Sequence, residues 1–445
     1  MRGSALAHGP TSPAPMLPPD HPLRLSLADE VHARPPEPLD APARATYVAV
    51  LVDPDQRAAE HAHVALLCSH HGVAAPPAEA SHFSAPLGPL RFKWERHGEF
   101  SGFTFYTPGL APVPFSEPVV TLLPPGWLAS LPGRTIVAAH AELTEATEAP
   151  PDGAALAAHF DGHITVGAEI GDGTGLAYTD FRIHADGFAR ILVCNRGFTA
   201  RQAGRMLQRL FEIEAYRMMA LLALPIARRQ SPHIVAIERS LATLTERIAA
   251  DDGSADESLL QELTRLAAEV ESGLAASQFR FGACRAYHEL VTRRIAELHE
   301  RKLPGIQTIE EFMTRRLNPA VATCATVSQR LHGLSERVAQ ASSLLSTRVD
   351  IARERQNQAL LASMDRRAKL QLRLQQTVEG LSVAAIVYYV TGLVGYVAKA
   401  GKAGGLPIQP DLLVGLAVPV LAVLVMWALR RARQRLHQEE PGHEM

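Results

Sequence analysis

Residues 381–398, LSVAAIVYYVTGLVGYVA, and residues 412–429, LLVGLAVPVLAVLVMWAL, decide the architecture of this chain. Neither stretch carries a charge, and each is long enough as a helix to cross a hydrocarbon layer of about 30 Å. Only Lys399 to Asp411 separate them. The pair is therefore expected to form a helical hairpin, because a segment in lipid must satisfy its own backbone polar groups. Helices of a water-soluble core would carry a polar stripe, and these carry none.

Basic residues set the expected orientation. Arg366, Arg367, Lys369 and Arg373 precede the first stretch, and Arg430, Arg431, Arg433 and Arg435 follow the second. The connection holds only Lys399 and Lys402. Lys and Arg near span ends stay cytoplasmic, so both termini are expected in the cytoplasm of a cell whose plasma (inner) membrane holds the hairpin.

Upstream of the hairpin, residues from 321 to 381 contain no proline, and Gly333 and Gly380 are the only glycines. A single long helix entering the first span is expected there. Leu331, Leu334, Val338, Ala341, Leu345, Val349 and Ala352 step by threes and fours, near the spacing of a coiled-coil seam. Such a seam needs a cover, either the preceding helices or neighbouring subunits. Thr199 reads as a helix N-cap for an apolar-periodic segment, which Pro225 and Pro232 are expected to break. Residues 233–250 and 257–302 are again helical in pattern.

Residues from about 44 to 198 read as mixed α/β. Tyr47–Val52, Arg91–Trp94, Gly102–Tyr106, Arg134–Ala139, His163–Ile170 and Gly187–Cys194 carry strand patterns. Gly171-Asp-Gly-Thr-Gly175 fits a hairpin turn. The expected class is thus α+β: residues 1–20 a disordered tail, 21–198 a cytoplasmic α/β domain, 199–380 a long-helix stalk, 381–429 a transmembrane hairpin, and 430–445 a basic tail.

Composition narrows the function. The net charge of −2 over 445 residues lacks the basic excess of a general nucleic-acid binder. Cys68, Cys194, Cys284 and Cys324 stand singly, which fits reduced thiols rather than a disulfide or zinc framework. No nucleophile elbow, phosphate loop or cofactor fingerprint occurs, so neither catalysis nor a cofactor is expected. His61, His63, His70 and His71 form a histidine-rich run, yet no pair has i, i+4 spacing; they read as solvated or half-buried. Two other clusters mix acids, a histidine and an arginine: Glu30, His32 and Arg34 with Asp29, and Glu95, His97 and Glu99 with Arg96. Either they dock the N-terminal segment on the sheet through charge-assisted hydrogen bonds, or they hold a ligand such as a divalent cation.

Two resemblances follow from these motifs. His21–Pro35 (HPLRLSLADEVHARP), Trp94–Phe100 (WERHGEF) and the first span resemble a bacterial family of uncharacterised membrane-anchored proteins of unknown function, from about His21 to Arg435. The architecture is also similar to that of the CorA and ZntB metal-ion transporters. Their first span ends in a Gly-Met-Asn or Gly-Val-Asn signature. Gly395 matches the signature glycine, whereas Tyr396 and Val397 replace the residues after it. That resemblance implies a homo-oligomeric divalent-cation channel, with Tyr389, Thr391, Gly392, Gly395 and Tyr396 facing a pore. The same small residues would equally serve close helix packing, which gives the alternative: a bilayer-tethered binding or scaffold protein without transport.

Overall fold

The computed structural model describes residues 18, 20–25, 27–28, 35–145, 150–250, 255–404 and 409–436. Glu30, His32 and Arg34 lie outside the described residues. The chain divides into two compact units, residues 1–249 with 261–342, and residues 250–260 with 343–445.

The first unit is built on a nine-stranded sheet of order β2-β3-β4-β1-β5-β8-β7-β6-β9. Its strands are β1 (Ala43–Leu51), β2 (His82–Leu87), β3 (Leu90–Arg96), β4 (Phe100–Pro108), β5 (Arg134–Glu145), β6 (Val166–Ile170), β7 (Gly175–Thr179), β8 (Ala189–Asn195) and β9 (Arg301–Lys302). All pairings are antiparallel except β5 with β8. The segment between those parallel strands must therefore travel back along the sheet before β8 begins. It does so through α2 (Gly153–His159) and the β6–β7 hairpin, whose turn is Gly171–Gly175.

The strand period of two assigns the faces. Ala45, Tyr47, Ala139, Ala141, Ile191 and Val193 point to one side. There α3 (Ala200–Leu221) covers them with Leu207, Leu210, Phe211 and Met219. Thr199 caps α3 by accepting from Gln202 N. On the opposite side, α1 (Arg57–His70) places Val64, Leu67 and Cys68 against Val48, Val50, Phe92, Trp94, Phe103 and Phe105. Further along, α2 covers Leu176, Tyr178 and Leu192 with Leu156 and Phe160. Burying each large apolar side chain contributes about 1.5–3 kcal/mol, so three layers form around the sheet.

The helices after residue 199 share this core. Val291, Ile295 and Leu298 near the end of α5 (Asp256–Ala296), and Ile309 and Met313 of α6 (Ile309–Arg316), pack in the same cluster as α3. Glu300 accepts the first two N–H groups of α6, from Ile309 and Glu310, at 3.0 Å each. Pro232 does not end a helix: it lies inside α4 (Leu224–Ala250). Burial of Ile234, Ile237 and Leu241 beyond it outweighs the missing hydrogen bond. A segment before β1 lies across α3 at Gly204, where an added Cβ would come within 1.7 Å of Glu37 O. Leu39 N donates to Ala200 O at 2.9 Å.

Helix α7 spans Asn318–Ala403, running from the proline-free stretch through the first apolar one. Its seam is covered by the chain itself at Leu331, Leu334, Val338, Leu345 and Val349, while Ala352 is exposed. In the first unit Leu331, Leu334 and Val338 are buried, with Arg330 paired to Glu238 at 2.6 Å and Ser335 to Glu271 at 2.7 Å. In the second unit Leu345 and Val349 are buried, and Arg348 pairs with Asp256 at 2.9 Å. Two helical stretches, at the end of α7 and in α8 (Pro410–Leu436), are long and apolar enough to cross a membrane. Leu393, Leu412 and Leu416 stand exposed on them.

Candidate functional site

On the face shared by α1 and α2, a row of polar residues runs between the two apolar patches. Thr46 of β1 lies opposite His140 of β5, and His140 lies opposite Arg190 of β8. One rung along, Arg44 faces Glu142. Thr46 Oγ1 and His140 Nδ1 are 2.9 Å apart, and the imidazole stacks on Phe188 at 3.9 Å. Burial lowers the His140 pKa to about 4, so the ring is neutral at pH 7. Glu142 is pushed up by burial, partly opposed by the Phe115 N–H that it accepts at 2.7 Å.

Arg190 carries this row into the β5–β8 crossover. One guanidinium nitrogen donates to His159 O at 2.8 Å and to Asp161 Oδ1 at 3.0 Å. Asp161 follows the end of α2 in the left-handed region, with φ 49°, and Phe160 is fully buried beneath it. This turn delivers Asp161 and His163. The return arm delivers Asp180 and His184 straight after β7. There Arg182 N bonds Asp180 Oδ1 at 3.1 Å, and His184 N bonds Phe188 O at 2.9 Å.

The two arms meet in a chain of short contacts. Asp161 Oδ2 is 2.9 Å from His184 Nδ1. His184 Nε2 is 3.0 Å from Asp180 Oδ2, and the same oxygen is 2.8 Å from His163 Nδ1. The His184 hydrogen bond, with help from Arg190, lowers the Asp161 pKa. His163, Asp180 and His184 are the one group among the described residues whose donor atoms lie close enough together, within 4.8 Å, to hold a metal ion. Sequence reading placed His163 in a strand and passed over Asp180 and His184. The usable signal was two His/Asp pairs, 161/163 and 180/184, bracketing one β-hairpin.

The cluster read from sequence behaves differently. Glu95 is buried against Lys93 at 2.9 Å, and Lys93 donates to Gln208 of α3 at 3.0 Å. Tyr47, Tyr106 and Tyr216 surround them, in a cavity of about 10 Å³ that has room for at most one water. Burial first, then Glu95, raises the Tyr106 pKa. His97 stacks on Phe100 at 4.4 Å, and Glu99 pairs with Arg280 of α5. Arg96 turns to the other face, where Trp94 Nε1 donates to the buried Glu60 at 2.9 Å. These groups tie α1, α3 and α5 to the sheet.

In the second unit one small-residue position of the first span, Gly395, meets the second. A Cβ on Gly395 would lie 3.3 Å from Val414 Cγ2. Thr391 Oγ1 is buried without a hydrogen-bond partner among the described residues. Tyr389, Gly392 and Tyr396 are exposed, and an added Cβ at Gly392 would meet open space.

No curated protein matches the chain, and no solved structure does. A family model does match, over residues 19–436. The chain belongs to the family described as "Protein of unknown function (DUF3422)".

Proposed function

We propose that this chain is a membrane-anchored binding protein whose C-terminal hairpin tethers a folded ligand-receiving domain to the inner membrane, with both termini cytoplasmic. The observation that carries the reading is the contact of Gly395 with Val414. At Gly395 the first span approaches its own hairpin partner, as close helix packing in lipid requires. No Asp, Glu, Lys, Arg, His, Asn or Gln interrupts either span, although ion pathways ordinarily carry such groups. The basic residues on either side of the hairpin favour the cytoplasmic placement. In this reading the protein is neither an enzyme nor a channel.

The test is reconstitution of the full chain in liposomes loaded with a divalent-ion indicator. The chain should resist carbonate extraction, and Mg²⁺, Zn²⁺ and Ni²⁺ should not cross above the lipid background. A Gly395→Leu substitution should loosen the hairpin and leave the background flux unchanged. Ion flux through the wild-type chain that Gly395→Leu abolishes would replace this reading with cation transport by an oligomer.

A further inference from the structure

We infer that His163, Asp180 and His184 form a binding site for one first-row divalent transition cation, of which Zn²⁺ is the reference ion. The inference rests on the reading of the chain as a binding protein and names its ligand. A neutral imidazole has one N–H donor and one acceptor nitrogen. His184 nevertheless has a carboxylate oxygen at 2.9 Å from Nδ1 and another at 3.0 Å from Nε2. With Nδ1 directed at Asp161, Nε2 is directed at Asp180 Oδ2, and His163 Nδ1 converges on the same oxygen. Indeed, among the described residues His184 Nε2 makes no contact of hydrogen-bond geometry. The His184 side chain and the Asp180 side chain are both fully buried, out of reach of bulk water. A cation placed between them would take Nε2, Oδ2 and His163 Nδ1 as its ligands.

The surroundings match what a metal-binding histidine needs. Such a ligand usually donates its second ring N–H to a carboxylate, which fixes its tautomer and makes the free nitrogen a better donor. Asp161 occupies that position, held in turn by Arg190 at 3.0 Å. Asp180 is likewise oriented, through Arg182 N at its other oxygen. His163 supplies the third donor, its Nδ1 being 2.8 Å from Asp180 Oδ2. Ligands of a tetrahedral zinc stand about 3.3 Å apart, given metal–ligand bonds of about 2.0–2.1 Å. The two nitrogen–oxygen separations, 2.8 and 3.0 Å, therefore need to open by only a few tenths of an ångström, while the two imidazole nitrogens, which lie within 4.8 Å of each other, draw together around the ion. The His163 side chain, at 33% exposure, is the one with room to move, and it marks the route by which an ion enters.

Two imidazoles and one carboxylate choose among cations. Mg²⁺ and Ca²⁺ prefer all-oxygen shells, whereas imidazole suits Zn²⁺, Co²⁺ and Ni²⁺. Three protein ligands leave a fourth position for water or for a donor atom of a partner molecule. The site therefore fits a reversible sensor better than a closed structural staple.

The experiment uses the full chain in detergent micelles, freed of metal by a chelator and titrated with Co²⁺ and then Zn²⁺. The expected result is one saturable equivalent of Co²⁺, with visible absorption of the four- or five-coordinate ion, displaced by Zn²⁺ and not by a hundredfold excess of Mg²⁺. Nuclear magnetic resonance of the Co²⁺-loaded wild type should show paramagnetically shifted exchangeable imidazole N–H signals. That readout needs no variant and survives any failure of a variant to fold. Asp180→Asn and His184→Ala should each weaken Zn²⁺ binding at least a hundredfold, and Asp161→Asn by ten- to hundredfold. Absence of saturable binding by the folded wild type overturns the site, as does binding that Asp180→Asn and His184→Ala leave intact in folded protein. Membrane retention and ion flux do not depend on these residues, so failure of the site and failure of the anchor reading are told apart.

Discussion

Two groups of histidines occupy this protein, and they differ in where they are gathered. His61, His63, His70 and His71 crowd into eleven residues of sequence and disperse in space. His61 Nε2 contacts Pro76 O at 2.9 Å. His63 stacks on Trp127 at 4.6 Å and bonds its carbonyl oxygen at 2.9 Å, and His70 meets His71 in an edge contact at 5.1 Å. The second group, His163 and His184, is separated by a whole β-hairpin, yet Asp180 Oδ2 lies within 3.0 Å of both. Crowding along a helix makes a site only when the residues share a face, at i, i+3 or i+4. A parallel strand pair, by contrast, forces its crossover to return, and the return superposes residues that the sequence keeps apart.

The largest effect expected on the first side of this comparison comes from Glu60, the buried carboxylate that holds α1 down. It accepts from Trp94 Nε1 and pairs with Arg57 and Arg96. Glu60→Ala should cost about 3–5 kcal/mol in chemical denaturation. A loss under about 1 kcal/mol would mean that α1 is held by packing alone.

A pH experiment probes the polar row next. The folded state holds His140 at a pKa of about 4, below its ordinary 6.5, so the unfolded chain binds more protons between those values. Stability from His140 is present above pH 6.5 and is lost as pH falls toward 4, by at most about 3 kcal/mol. Glu300 runs the other way. Burial raises it to about 7 against the two backbone N–H groups it accepts, so its contribution falls as pH rises from about 4.5 to 7. The two slopes oppose each other across nearly one window. Wild-type stability should therefore be flatter between pH 4.5 and 6.5 than that of either single variant. His140→Gln should leave a falling limb and Glu300→Gln a rising one, read as melting temperature against pH.

Smaller still is His63→Ala, which removes one stack and one hydrogen bond and should cost about 1–2 kcal/mol without touching metal affinity. Changing all four α1 histidines to glutamine should shift Zn²⁺ affinity less than twofold. A larger shift in the titration would break the comparison, because it would place metal in the cluster that the sequence displays.

Much of this fold was legible from pattern alone. Tyr47–Val52, Arg91–Trp94, Gly102–Tyr106 and Arg134–Ala139 fall in or at the edge of β1, β3, β4 and β5, because β-branched and aromatic runs report local preference directly. Thr199 as a cap and Gly171–Gly175 as a turn are equally local. Pro232 was misleading because the burial of Ile234, Ile237 and Leu241 lies outside the reach of propensity. The cover of the Leu331–Val349 seam was beyond sequence for a related reason: its periodicity demands a partner without saying which. The Asp180 centre was hidden most completely. His163 and His184 become neighbours only once β5 and β8 are known to run parallel, and no window of the sequence contains that fact.

The crossing at Gly204 has a genetic consequence. With Glu37 O occupying the space where a side chain would begin, the helix position accepts one residue out of twenty, and even alanine should yield a defective allele. Revertants of that allele should not arise on α3, where nothing can give way. They should arise in the crossing segment around Glu37 and Leu39, by changes that let it ride higher over the helix. A selection for function at raised temperature would thus recover compensating changes more than 160 residues upstream of the lesion, tracing a contact between two stretches that no alignment of helices would pair.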